Sequence, residues 1–200
     1  MSLIVRADPP PRLLPLMAAV AVCEVAGEDA LIKWPNDVVV ATATAPAPGA
    51  SAALAKLAGI LIEGRPQEGW AVVGIGLNVA VRLDELPPEL RPDRSDGDAS
   101  SSGPAATLGL PREEVEPTLG GLLVALEGRL LQAPEATLEA WRSRDGLRGR
   151  EIAWGTQSAG ARARRGRAEG IDGDGRLIVE LAEGGRTTLS AGEVHLAAVG

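Results

Sequence analysis

Apolar and polar positions alternate along the chain in blocks that define its elements. Ser2 to Val5 is a short apolar segment that reads as strand, followed by the stiff connector Pro9-Pro10-Pro11. From Leu13 to about Ala26 the chain is apolar nearly all round and rich in Ala and Leu, which predicts a buried helix. Pro15 suits its first turn and Gly27 its end. Leu31 to Val40 predicts two extended pieces around the turn Lys33-Trp34-Pro35-Asn36-Asp37, because the residue before a proline is biased to β geometry and Asn and Asp favour turns. Ala41 to Ala53 is small, Pro-interrupted and of low complexity, a loop signal. Strand patterns then follow over Lys56 to Glu63 and Trp70 to Val81, separated by a turn from Gly64 to Gly69. The polar stretch Asp84 to Pro104 reads as a surface loop. Leu119 to Leu131 and Pro134 to Arg144 carry helical spacing, through Leu119, Leu122, Leu123 and Leu126 and then Leu138 and Trp141.

Near Asp145-Gly146 the pattern changes. Glu151 to Trp154, Ala161 to Ile171, Leu177 to Leu181, Arg186 to Leu189 and Val194 to Val199 are short strand signals, separated by turn residues such as Asp172-Gly173-Asp174-Gly175. Five short strands in so few residues predict a small SH3-like barrel. The expected fold is therefore α+β: a mixed, largely antiparallel sheet with helices over 1–145, and the barrel over 146–200.

Composition narrows the chemistry. One cysteine, Cys23, excludes an intrachain disulfide framework and a thiolate metal cluster, and its apolar surroundings fit a buried hydrophobe. A net charge of -7 argues against general nucleic-acid binding. The basic run Arg162 to Arg167, in a chain without Tyr or Phe, reads as a solvated turn or a partner-facing rim. No stretch suits a transmembrane helix, the first residues lack a signal-peptide pattern, and a cytoplasmic protein without membrane contact is expected. Among basic residues nearly all are Arg. Only Lys33 and Lys56 are lysine, and only Asn36 and Asn78 are asparagine. In a chain so biased, residues that keep an ammonium or an amide mark candidate chemistry.

Lys33, Asn36, Asp37, Lys56 and Asn78 fall on or at the ends of successive strands. A lysine can steady a carboxylate or phosphate, Asp37 can hold Mg²⁺ between phosphates, and the asparagines suit a nucleobase or ribose edge. Trp34 offers an apolar wall, while Gly59, Gly74 and Gly76 let a flat ligand approach backbone. The structural alternative is equally open on these residues alone. In it the lysines snorkel, Asn36 and Asp37 cap a turn and Gly76 marks a bulge.

Three segments taken together carry a resemblance. Lys33-Trp34-Pro35-Asn36-Asp37, Lys56-Leu57-Ala58-Gly59-Ile60-Leu61-Ile62-Glu63 and Val73-Gly74-Ile75-Gly76-Leu77-Asn78-Val79 resemble, in order, the KWPND, KLAGIL.E and GIG.N motifs of the biotin protein ligase family. Gly170 to Leu177 and Ser190 to Val194 look like that family's C-terminal barrel. The resemblance implies a catalytic domain related to class II aminoacyl-tRNA synthetases. It also implies ATP-dependent formation of biotinyl-5'-AMP and transfer of biotin to a lysine of a biotin carboxyl carrier protein, with a homodimer as the candidate assembly. Lys56 and Asp37 would then be catalytic, with Asp37 also the Mg²⁺ ligand. Lys33, Trp34, Asn36 and Asn78 would hold the nucleotide or shape its wall. Gly59, Ile60 and Leu61 would line the biotin side, and Ile75 and Gly76 the adenylate side. The family's Gly/Arg-rich loop, expected before the segment matching Ser2 to Val5, has no counterpart in order. The resemblance therefore implies an N-terminally truncated catalytic domain. A degenerate, non-catalytic adaptor is the alternative.

Overall fold

The computed structural model describes residues 1–7, 11–42, 53–87, 90–91, 104–155, 163–192 and 194–196. Most of the loop expected over Ala41 to Ala53, part of Asp84 to Pro104, and Ala161, Arg162, Glu193 and Ala197 to Val199 lie outside the described residues.

The first sheet contains β1 (Ser2–Arg6), β2 (Leu31–Lys33), β3 (Asp37–Ala41), β4 (Leu54–Arg65) and β5 (Trp70–Leu77), in the order β1-β5-β4-β3-β2. Every ladder is antiparallel. Among the described residues, parallel pairing is confined to two isolated bridges, Ile32 with Asp145 and Lys56 with Ala105. Strand β4 continues to Arg65, beyond the expected turn at Gly64, because Gly64 and Arg65 pair with Ala71 and Trp70. Strand β5 stops at Leu77, short of the expected Val81: Asn78 N–H still reaches Leu57 O of β4, but the Asn78 carbonyl accepts from Leu108 N–H instead.

Helix α1 (Leu14–Ala26) is the middle layer. Its residues Leu14 and Leu16 to Cys23 are all buried, so the all-round apolar pattern is explained by neighbours on two sides. One side packs on the sheet. The other meets α2 (Val115–Leu130) and α3 (Pro134–Ser143). Helix α2 buries only Leu122 and Leu126 and is the outer cover. Large side chains such as Leu14, Met17 and Val22 each contribute roughly 1.5–3 kcal/mol on leaving water, so this one helix carries much of the core energy.

Past α1, the chain is secured by Arg144, whose guanidinium donates to the carbonyls of Gly27 (2.7 Å), Glu28 (2.9 Å) and Ala30 (3.1 Å). These carbonyls lie just beyond the last helical residue, where no intrahelical donor reaches them. Ile32 N–H donates to Arg144 O at 2.7 Å and Gly146 N–H to Ile32 O at 2.9 Å, which ties the chain after α3 to β2.

The second sheet comprises β6 (Glu151–Trp154), β7 (Arg164–Ile171), β8 (Leu177–Leu181), β9 (Arg186–Leu189) and β10 (Val194–Leu196), ordered β10-β6-β7-β8-β9. All its ladders are antiparallel. Strands β9 and β10 are the two edges, and no ladder between them closes a barrel among the described residues. The basic run is strand rather than turn: Arg164, Arg165 and Arg167 are exposed on β7. Gly166 among them is buried, and a Cβ there would run into the Glu180 carbonyl oxygen of β8. Buried Ile152, Ala168, Leu177 and Val179 of this sheet belong to the same apolar cluster as α1 and the first sheet.

Candidate functional site

A single irregularity in β4 sets the site. On a regular strand Lys56 and Gly59, three residues apart, would face opposite sides of the sheet. The ladder to β3 pairs Val38 with Ala58 but Val39 with Lys56, leaving Leu57 as an extra residue. This bulge turns Lys56 onto the face that bears Gly59 and Asp37. It also explains why the consecutive residues Leu57 and Ala58 are both buried.

The Lys56 ammonium then lies over Gly59. A Cβ at position 59 would sit 3.2 Å from Lys56 Cε and 3.3 Å from Nζ. Lys56 Nζ reaches Asp37 Oδ1 at 2.6 Å, and Lys33 Nζ stands 3.9 Å from Asp37 Oδ2. Asp37 pairs with Gly59 on one side and Lys33 on the other, so three adjacent strands present two ammonium groups around one carboxylate.

Beside this cluster is a groove of about 410 Å³ lined by Met1, Asn36, Lys56, Gly59, Ile60, Leu61, Gly74, Ile75 and Gly76. Its floor is strand backbone, because Gly59 pairs with Gly76 and Leu61 with Gly74. Leu61, 61% exposed, forms an apolar wall. Asn36 Nδ2 donates to Ile60 O at 2.8 Å while Ile60 N–H donates to Asn36 O at 2.9 Å. The amide is thus clamped to β4 with its Oδ1 still available as an acceptor. One charged pole and one apolar wall on a flat floor suit a ligand with an anionic end and a hydrophobic body.

Asn36, Lys56, Gly59, Ile60, Leu61, Ile75 and Gly76 are therefore brought together in the groove, with Asp37 and Lys33 beside it. Two expected site residues go elsewhere. Trp34 is 2% exposed and donates its indole N–H to Gly175 O at 3.0 Å, facing the second sheet rather than the groove. Asn78 Nδ2 donates to Ala106 O at 2.9 Å and reaches Lys56 O at 3.5 Å, and its backbone N–H donates to Leu57 O.

Asn78 belongs to a clamp the sequence did not announce. Lys56 N–H donates to Pro104 O at 2.6 Å and Lys56 O accepts from Ala106 N–H at 2.8 Å. Thr107 Oγ1 donates to Asn78 O and Val79 O, both at 3.2 Å. Residues 104–107 thus fix the peptide that carries the lysine. Nothing in the composition of residues 104–107 signals that role.

The resemblance assigns Mg²⁺ to Asp37. This residue offers one carboxylate with an ammonium facing each oxygen, and no group of three or more His, Cys, Asp or Glu that could hold a metal occurs among the described residues. A resident Mg²⁺, which seeks carboxylate and water oxygens in octahedral geometry, does not fit that donor set. A second hollow of about 700 Å³ between Ala80 and Arg112 holds Arg82, already paired with Asp84 and Glu85. No helix among the described residues is long and apolar enough to cross a membrane.

Comparison with known proteins gives these features a context. Residues 157–196 match the family model described as biotin protein ligase C terminal domain. Over 101 residues the chain is 37% identical to the bifunctional ligase/repressor BirA of Bacillus spizizenii, a stretch covering 46% of this chain and 27% of that protein's length. The apo biotin protein ligase from Aquifex aeolicus shares the fold with a TM-score of 0.68 at 22% identity, over 98% of this chain and 81% of that one. A biotin protein ligase from the same organism in complex with biotin and ATP gives 0.68 at 21% identity, over 98% and 77%.

Proposed function

We propose, from the premise that the chain belongs to the biotin protein ligase family, that its groove binds biotin and ATP, forms biotinyl-5'-AMP, and passes biotin to a lysine of a carboxyl carrier protein. The observation that carries the reading is the Lys56 ammonium, 2.6 Å from Asp37 and seated on Gly59, at the charged end of a groove with an apolar wall.

In the first half-reaction a biotin carboxylate oxygen attacks the α-phosphorus of ATP. The bond to the bridging oxygen breaks and pyrophosphate leaves. Two anions must approach each other, and repulsion between them is the obstacle the protein can lower. Lys56 is placed to do so, because its partner Asp37 holds the ammonium at the floor rather than letting it range through solvent. Lys33 adds a second positive charge on the far side of Asp37, so the cluster keeps a net positive charge toward the groove. Leu61 and Ile60 would receive the apolar part of biotin, and Asn36 Oδ1 and the strand backbone at Ile75 and Gly76 the adenylate. In the second half-reaction a neutral carrier amine attacks the mixed anhydride carbonyl. The carbon–oxygen bond to phosphate breaks, AMP departs, and the new amide nitrogen loses its proton to solvent. Any Mg²⁺ enters here as the counter-ion of ATP and belongs to the substrate. Residues 1–145 form the catalytic unit in this reading, and 146–200 its C-terminal companion.

Titration calorimetry with biotinyl-5'-AMP tests the site. The chain should bind it, and Lys56→Ala should weaken binding by at least about tenfold, as expected when a charge-assisted contact is lost. No binding by the unsubstituted chain, with thermal unfolding confirming that it is folded, would overturn the reading and favour a non-catalytic adaptor.

A further inference from the structure

Trp34 sits at the exit of β2, separated by Pro35 alone from Asn36 and Asp37, which carry the amide and the carboxylate of the site, yet its ring turns away from the groove. The indole N–H meets the carbonyl of Gly175, 141 positions later in the chain, in a buried hydrogen bond of 3.0 Å. Gly175 closes the β7–β8 turn, and that turn is internally fixed. Asp172 Oδ1 accepts from the backbone N–H groups of Asp174 and Arg176, both at 2.9 Å, and Asp172 Oδ2 accepts from Arg176 Nε at 2.8 Å.

The turn is also seated on α1. Gly175 has φ +78°, and a Cβ there would lie 3.0 Å from Leu16 Cδ2 and 3.3 Å from Leu13 Cδ2. Arg12 pairs with Asp174 at 2.9 Å on the outer rim of the same contact. A glycine is required on both counts, since its backbone conformation is left-handed and the space above it is filled. The second sheet therefore does not merely lie against the first unit. It offers one carbonyl, from a rigid turn, to one ring.

On the far side of Trp34 the chain reaches the site within three residues. Asn36 exchanges two hydrogen bonds with Ile60 of β4, and Asp37 faces Lys56. Lys33, the residue before Trp34, is paired with Asp37 across the β2–β3 ladder. Fixing the Trp34 ring fixes both ends of this short turn.

We infer that Trp34 is a positioning residue, through which the β7–β8 turn of the C-terminal sheet holds Asn36 and Asp37 in register with Ile60 and Lys56. The inference rests on the proposed ligand site for its functional meaning, but the coupling itself is a property of the ligand-free fold. If Trp34 served only to fill the core, its ring volume would matter and its N–H would not.

Two replacements separate these roles. Trp34→Phe removes the donor and some volume. Site-specific incorporation of benzothienylalanine at position 34 replaces the indole N–H by sulfur and keeps the bicyclic shape, so the core stays filled even if the phenylalanine variant folds poorly. Amide hydrogen exchange at Ile60, whose N–H is held by Asn36 O, reads the coupling without any ligand. Calorimetry with biotinyl-5'-AMP reads its consequence. For the isosteric replacement we expect exchange at Ile60 to rise about tenfold beyond any rise at the β7–β8 amides, and affinity to fall by a similar factor, as when a buried carbonyl loses its donor. Uniform changes across all protected amides, with affinity unchanged, would overturn the inference and leave Trp34 as core. If the unsubstituted chain fails to bind biotinyl-5'-AMP, the ligand assignment fails while the Ile60 exchange still decides the coupling.

Discussion

Gly59→Ala should uncouple ligand affinity from stability. The backbone at this position lies outside the left-handed region, so alanine is conformationally allowed, and replacing glycine inside a strand removes unfolded-chain freedom equivalent to about 0.4–1 kcal/mol. Against this gain, the new methyl would stand 3.2 Å from Lys56 Cε, 3.3 Å from Nζ and 3.9 Å from Asp37 Oδ1. Carbon atoms prefer roughly 3.5–4.0 Å, so the lysine end must retreat by a few tenths of an ångström. Lys56 is a flexible side chain and 40% exposed, so it can move, and its ion pair with Asp37 is partly screened. Weakening such a pair costs at most about 1 kcal/mol. The two contributions nearly cancel, and the melting temperature should stay within about 3 °C of the parent, since 1 kcal/mol moves a domain of this size by about 2–4 °C. Ligand binding has no such compensation, because the ammonium shifts off its seat and the floor rises into the groove. Affinity for biotinyl-5'-AMP should drop about tenfold, or ~1.4 kcal/mol. Calorimetry alongside thermal unfolding followed by circular dichroism measures both. Unchanged affinity would refute the claim that Lys56 acts from its seat on Gly59. A fall in melting temperature well beyond that range would instead make Gly59 a requirement of folding.

The other expectations concern the core. Cys23 is 1% exposed, and burial pushes its thiol up to about 12, so at pH 8 a thiol reagent should label the single cysteine only in denaturant; rapid labelling of the native chain would contradict the middle-layer position of α1. Asp145 lies at the junction with the second sheet, its Oδ1 accepting from Leu147 N–H at 2.9 Å and its buried Oδ2 without a partner. Burial is the main cause that raises its carboxyl above the usual 3.8. The unfolded chain therefore releases this proton first, and the folded chain binds more protons in between. Its contribution to stability is largest below 3.8 and declines as pH rises through the folded value. Asp145→Asn should lose that decline, which urea midpoints across the acidic range will show; parallel pH profiles for the two proteins would exclude it.

Much of this protein is set by local pattern. Helix α1 announces itself because a buried middle-layer helix must be apolar on every side, and β7, β8 and β9 are separated by the turns Asp172 to Gly175 and Ala182 to Gly185, whose glycines and aspartates have few other uses. The lysine–carboxylate cluster stood out for a related reason: in a chain rich in arginine, only two lysines and two asparagines remain, and both lysines stand at one carboxylate. Direction was not legible. Strand alternation places Lys56 and Gly59 on opposite faces, and only the extra residue Leu57, which depends on how β3 and the segment at 104–106 divide the hydrogen bonds of β4, brings them to the same side. Trp34 was expected at the ligand wall because its ring is apolar, yet apolar rings suit a core equally well, and the choice was made by a carbonyl 141 positions away. Asn78 carries an amide fit for a nucleotide, but Ala106 claims it. Residue type and spacing determine which groups exist and which elements bear them. Where those groups point depends on long-range hydrogen bonds whose partners have no regular sequence separation, so only the folded chain decides it.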